Sequence, residues 1–165
     1  MRFGVKKLCI LSVSVALSMI LSFVESQIPP LAAVPGVKIG LANVVTVFLL
    51  YSFGWREAGA VSLVRIFLSA LLFGSFVSML YSLSGAALSF VFMLIAKRIK
   101  CFSQIGVSVL GGVMHNVGQI ICAVIILDTV TVAAYLPILL ISGVIGGIVV
   151  GILGGIVGQR LEKLV

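Results

Sequence analysis

Long apolar runs, separated by short polar caps, recur from one end of the chain to the other. Spanning a bilayer takes about 20 mainly apolar residues in a helix, and this pattern predicts six such spans, at residues 8–26, 37–53, 58–73, 76–96, 105–127 and 132–157. Pro29 and Pro30 stop the first, because proline cannot donate to the helical ladder. Gly54-Trp55-Arg56-Glu57 turns between the second and third, and the joint between the third and fourth falls near Gly74-Ser75. A basic loop from 97 to 103 leads into the fifth, and Asp128 separates the fifth from the sixth. The expected fold is all-α: a polytopic membrane bundle of about six transmembrane helices, forming a single domain over residues 1–165.

Composition agrees with the pattern. Hydrophobic residues make up 62% of the 165-residue chain and charged residues 9%, against about 25% charged in soluble domains. The start resembles a signal peptide, but the apolar stretch after Lys7 is long for one and no small-x-small cleavage site follows it directly, so it reads as a retained first helix.

The net charge of +7 would suit nucleic-acid binding. The basic residues instead sit in caps between apolar runs, and nucleic acid is not an expected partner. One side of the predicted topology holds nine (Arg2, Lys6, Lys7, Arg56, Lys97, Arg98, Lys100, Arg160, Lys163), the other only Lys38. By the positive-inside rule both termini face the cytoplasm, and the loop from Gln27 to Gly36 faces outward, either as a plain connector or as a lid.

Small residues recur at fourth-residue spacing: Gly147, Gly151 and Gly155 in the sixth span, Ser14, Ser18 and Ser22 in the first, Ser78, Ser82 and Ala86 in the fourth. Such seams let helix backbones approach closely in lipid, either inside the bundle or against a protein partner.

Polar residues at membrane depth are the candidate chemistry. A charge there costs at least about 2.5–3.5 kcal/mol on insertion scales, so it faces the protein interior. Arg65 lies eight residues into the third span from Glu57, about 12 Å deep. His115, Asn116 and Gln119 share a face of the fifth span at similar depth. Asn43 belongs to the second span, and Glu25 and Lys38 to the outer rim. Together they describe a polar funnel with Arg65, His115 and Asn116 as floor, Asn43 and Gln119 as wall, and Glu25 and Lys38 as guards. Such a floor favours an anionic or strongly polar ligand. The alternative is a closed hydrogen-bond network with a structural role only.

No metal or cofactor site is expected. Cys9, Cys101 and Cys122 are unpaired in spacing, one His and one Asp make no credible triad, and no GxxxxGK[ST] loop is present. Prenyl-diphosphate chemistry needs clustered aspartates for magnesium, and Asp128 is the one aspartate. The chain by itself reads as a non-enzyme.

Three blocks resemble a bacterial membrane family: Pro35-Gly36-Val37-Lys38-Ile39-Gly40-Leu41-Ala42-Asn43-Val44-Val45-Thr46, Arg65-Ile66-Phe67-Leu68-Ser69 with Leu72-Phe73-Gly74-Ser75, and His115-Asn116-Val117-Gly118-Gln119. It is the Gx transporter family, also named heptaprenyl diphosphate synthase component I, and the likeness covers nearly the whole chain. The family is similar to the substrate-binding S components of energy-coupling factor vitamin transporters. That implies a six-helix bundle with an outward pocket and a lid between the first two helices. It also implies docking through small residues, here Ser12 and Ala16, onto a transmembrane coupling protein driven by two ATPases, although alanines are usual at both positions. The resemblance allows other partners, namely a soluble prenyl synthase or a flavin/quinone redox system. Hence the expected function is capture of a small polar or anionic, isoprenoid-related ligand from outside the bacterial cytoplasmic membrane. The alternatives are a non-catalytic component of heptaprenyl diphosphate synthesis, or a structural subunit of an electron-transfer complex.

Overall fold

A computed structural model describes residues 4–27, 40–99 and 101–162. Among them are six α-helices and no strand: α1 Val5–Gln27, α2 Asn43–Ser52, α3 Trp55–Phe73, α4 Phe76–Ile99, α5 Gln104–Leu127 and α6 Leu136–Glu162, with a 3-10 turn at Val130–Tyr135 before α6. Four segments among the described residues are long and apolar enough to cross a membrane: Val5–Gln27, Phe76–Ile99, Gln104–Leu127 and Val130–Arg160. α3 has the length, but Arg56, Glu57 and Arg65 interrupt its apolar run. The chain is an all-α membrane bundle.

The joints follow local chemistry. Gly54, at φ 119°, turns the chain between α2 and α3 in a conformation that side chains disfavour. Ser75 Oγ accepts from the Ser78 amide and starts α4 directly after Gly74. Ser103 caps α5 in the same way, accepting from the Gly106 amide at 3.2 Å.

The second span differs from its expected limits. Described structure resumes at Gly40, which has φ 78°, and the helix starts only at Asn43, whose amide donates to the Gly40 carbonyl at 2.8 Å. A left-handed residue there breaks any helix running in from position 37. At ten residues α2 is about 15 Å long, half the hydrocarbon thickness. It is also the most enclosed element: Val44 through Leu50 are all buried. A helix apolar all round belongs inside, and α2 sits at the centre of the bundle against α1, α3 and α6. Phe48, Leu49 and Leu50 join Ala58, Met93 and Val107 in the core.

Pairwise contacts set the topology. α5 packs extensively on both α4 and α6. A Cβ on Gly112 would lie 2.5 Å from the Gly143 carbonyl oxygen, and one on Gly147 2.5 Å from the Val109 Cα. The seam of α6 is therefore internal packing, sealed backbone to backbone against an antiparallel α5. Gly118 meets the Ser84 carbonyl of α4 in the same fashion. α1 and α3 run parallel: Lys7 pairs with Glu57 at 2.6 Å near their starts, and Phe23 meets Phe73 edge-on at 5.5 Å near their ends. Lys7 holds the Glu57 carboxyl below its ordinary pKa, chiefly through that hydrogen bond. Leu8, Val13, Ile20, Ile125 and Ile141 are exposed, an apolar exterior suited to lipid.

Candidate functional site

A cavity of about 120 Å³ lies in the half of the bundle opposite the Lys7–Glu57 pair, with room for a handful of waters or a small ligand group. Five helices line it. α1 supplies Ser22 and Glu25 from its last turns. Gly40 and Asn43 come from the broken start of α2. α3 brings Arg65 and Ser69, α4 brings Ser78 and Ser82, and α5 brings His115 and Gln119. Spacing explains this convergence. Ser22 and Glu25 are three apart, Arg65 and Ser69 four apart, His115 and Gln119 four apart, so each pair lies on one helix face.

Arg65 is the cationic centre. Its Nη1 donates to Ser22 Oγ at 3.0 Å, while its buried Nε has no hydrogen-bond partner among the described residues. Ser69 Oγ, one turn along α3, is likewise buried and without a partner among the described residues. Glu25 lines the cavity too, but the contact ion pair among the described residues is Lys7–Glu57, so Glu25 does not neutralise Arg65 at contact distance. Instead the Glu25 carboxylate accepts from the Gly40 amide and ties the end of α1 to the start of α2. Non-helical backbone at membrane depth is tolerated where it lines a cavity or is covered by protein, and Gly40 and Ala42 do line this one. Desolvated donors around a cation can hold a carboxylate, phosphate or similarly charged group.

Most of the residues expected in a funnel thus meet: Glu25, Asn43, Arg65, His115 and Gln119 share one cavity. Asn116 does not, which corrects the expectation that it shares the floor. Its Nδ2 donates to the Leu139 carbonyl at 2.6 Å and reaches Ser142 Oγ at 3.4 Å, both on α6. Successive helical residues point about 100° apart, so α5 turns His115 toward Gly85 of α4 and Asn116 toward α6. Asn116 lines a neighbouring gap of about 20 Å³, enough for one water, which shares Gly40, Asn43 and His115 with the main cavity. Lys38 and the lid segment lie outside the described residues, apart from Gln27 at the end of α1.

The cavity also contains residues that sequence reasoning assigned elsewhere. Ser22, Ser78 and Ser82 looked like packing seams, yet Ser22 holds Arg65 and all three line the cavity. Their fourth-residue spacing was a readable signal, but it does not separate a hydroxyl stripe facing a neighbour from one facing a hollow. Ser14 and Ser18 of the same stripe are buried as packing, and Ser18 Oγ donates to the Val15 carbonyl of its own helix. Ser12 and Ala16 lie on the opposite, exposed face of α1.

The sequence matches the family described as heptaprenyl diphosphate synthase component I over residues 14–157, a stretch that contains every residue lining the cavity. No curated protein and no solved structure matches the chain. The span of that match, from the middle of the first helix nearly to the end of the last, shows that the chain belongs to the heptaprenyl diphosphate synthase component I family.

Proposed function

We propose that this protein is a membrane-embedded binding component that takes an anionic group into the Arg65–His115 cavity, after the manner of an energy-coupling factor S component. The observation that carries the reading is the placement of Arg65: a cation at membrane depth beside polar groups from five helices, with a buried Nε left for a ligand. A charge kept in that position against its insertion cost points to use. The bias of basic residues supports a topology with both termini on the cytoplasmic side of a bacterial membrane and the cavity toward the outside. The exposed Ser12–Ala16 face of α1 is then the docking surface for a coupling protein that supplies the energy. The chain holds the ligand and performs no chemistry on it.

Inorganic diphosphate is a suitable probe for the Arg65–His115 cavity. Arg65→Ala is expected to weaken its binding at least about tenfold, the loss of one charge-assisted bond, while the ligand-free protein keeps its thermal unfolding profile. Equal binding by the wild-type and the variant discards the reading.

The family description favours a second reading, an accessory subunit of heptaprenyl diphosphate synthesis. Reconstitution with a soluble prenyl synthase separates the two. A gain in rate or product length on adding the chain supports the accessory role, and no gain at saturating chain removes it.

A further inference from the structure

The polar cavity has an apolar neighbour. Ser78, Ser82 and Gln119 each line two hollows at once, the cavity that holds Arg65 and a larger cleft of about 470 Å³ between α4 and α5. The walls of that cleft are Tyr81 from α4, Ile120, Ala123 and Leu127 from α5, and Tyr135 and Leu139 from the 3-10 turn and α6. Its edge faces lipid: Val77 is 43% exposed and Leu127 54%. The cleft thus borders the cationic cavity at Ser78, Ser82 and Gln119 and reaches the exposed surface at Val77 and Leu127.

We propose that the ligand is a single-chain amphiphile, an isoprenoid-type phosphate, with its anionic head at Arg65 and its tail lying in the cleft between α4 and α5. The proposal rests on the binding reading above and specifies the substrate class. Two adjoining hollows of opposite polarity fit a molecule divided in the same way, and charge complementarity with Arg65 fixes which end goes inward. Three side chains frame the junction, which suits one chain passing rather than two. A polyprenyl tail in the membrane reaches the head site sideways from lipid and leaves the apolar tail in an apolar surrounding throughout. The family's description concerns a prenyl diphosphate, a molecule with this division.

The test uses the full chain in nanodiscs, titrated calorimetrically with isopentenyl, geranyl and geranylgeranyl diphosphate against empty discs. Affinity is expected to rise at least about tenfold from the shortest to the longest, since each added methylene finds apolar cover. Ala123→Phe, placed in the cleft wall, is expected to abolish that rise, while isopentenyl diphosphate, too short to reach it, binds as before. Val77→Trp at the exposed edge makes the same test if Ala123→Phe does not fold. Affinity that is flat with chain length, or a rise that survives both substitutions, overturns the tail site and leaves the head site standing. Displacement of geranylgeranyl diphosphate by phosphatidic acid at equal concentration overturns the single-chain assignment. Failure of all three diphosphates to bind, with Arg65→Ala behaving as wild type, overturns the cavity reading itself.

Discussion

The α5–α6 interface and the cavity between α1, α3, α4 and α5 carry the same kind of signal, small residues four apart, and they reach opposite outcomes. Along α6 the small residues are glycines, and the backbones close until a single methyl would clash, as at Gly147 against Val109. Along α1 and α4 they are serines, and Ser22, Ser78 and Ser82 border a cavity. Lipid tails are as apolar as leucine, so contact between helices in a membrane depends on close packing and hydrogen bonds. Glycine supplies the first without the second. Serine supplies both a short side chain and a hydroxyl that must be satisfied, and a buried arginine nearby gives it a partner other than its own helix.

Three substitutions bear on that contrast. Gly147→Leu should have the largest effect, because the new side chain meets Val109 backbone that cannot move aside. Overpacking costs about 1–3 kcal/mol in ordinary cores and more against backbone, and loss of the monodisperse peak in detergent chromatography is the expected result. A normally folded Gly147→Leu protein would mean that α5 and α6 are not sealed. Asn116→Ala tests where the boundary between the two regions runs. Removal of its bond to the Leu139 carbonyl should lower stability by about 0.5–1.5 kcal/mol, seen in thermal unfolding, with diphosphate affinity unchanged. A matching fall in affinity would return Asn116 to the cavity floor. Ser22→Ala should be mildest. One neutral partner of Arg65 is lost, worth about 0.6 kcal/mol for a hydrogen bond between membrane helices, so diphosphate binding weakens roughly threefold and unfolding barely shifts. A large loss of stability instead would assign Ser22 and Arg65 to a structural network and weaken the case for a ligand.

Arg65 and His115 were legible as members of one site because an ionisable residue in an apolar run has few places to go, and helical rise fixes its depth. Asn116 was misplaced because a shared face was inferred from its three-residue spacing to Gln119, although His115 and Asn116 diverge by about 100° and two different helices flank α5. The start of α2 was misjudged because Gly40 in an apolar run looks helical until its φ of 78° is known. Ser22 was missed because its partner is 43 positions away in sequence.

The sequence by itself determined that the chain is a helical membrane bundle, where the helices from α2 to α6 join and which residues are too polar to face lipid. Those are properties of hydropathy, turn chemistry and charge, each readable within a short window. Only the tertiary structure decided that the shortest helix lies at the centre, that the glycine seam is closed while Ser22, Ser78 and Ser82 border a hollow, and that the polar cavity adjoins an apolar cleft. Each of these depends on which helix stands opposite which, a relation between positions far apart in the chain and set by the packing of the whole bundle.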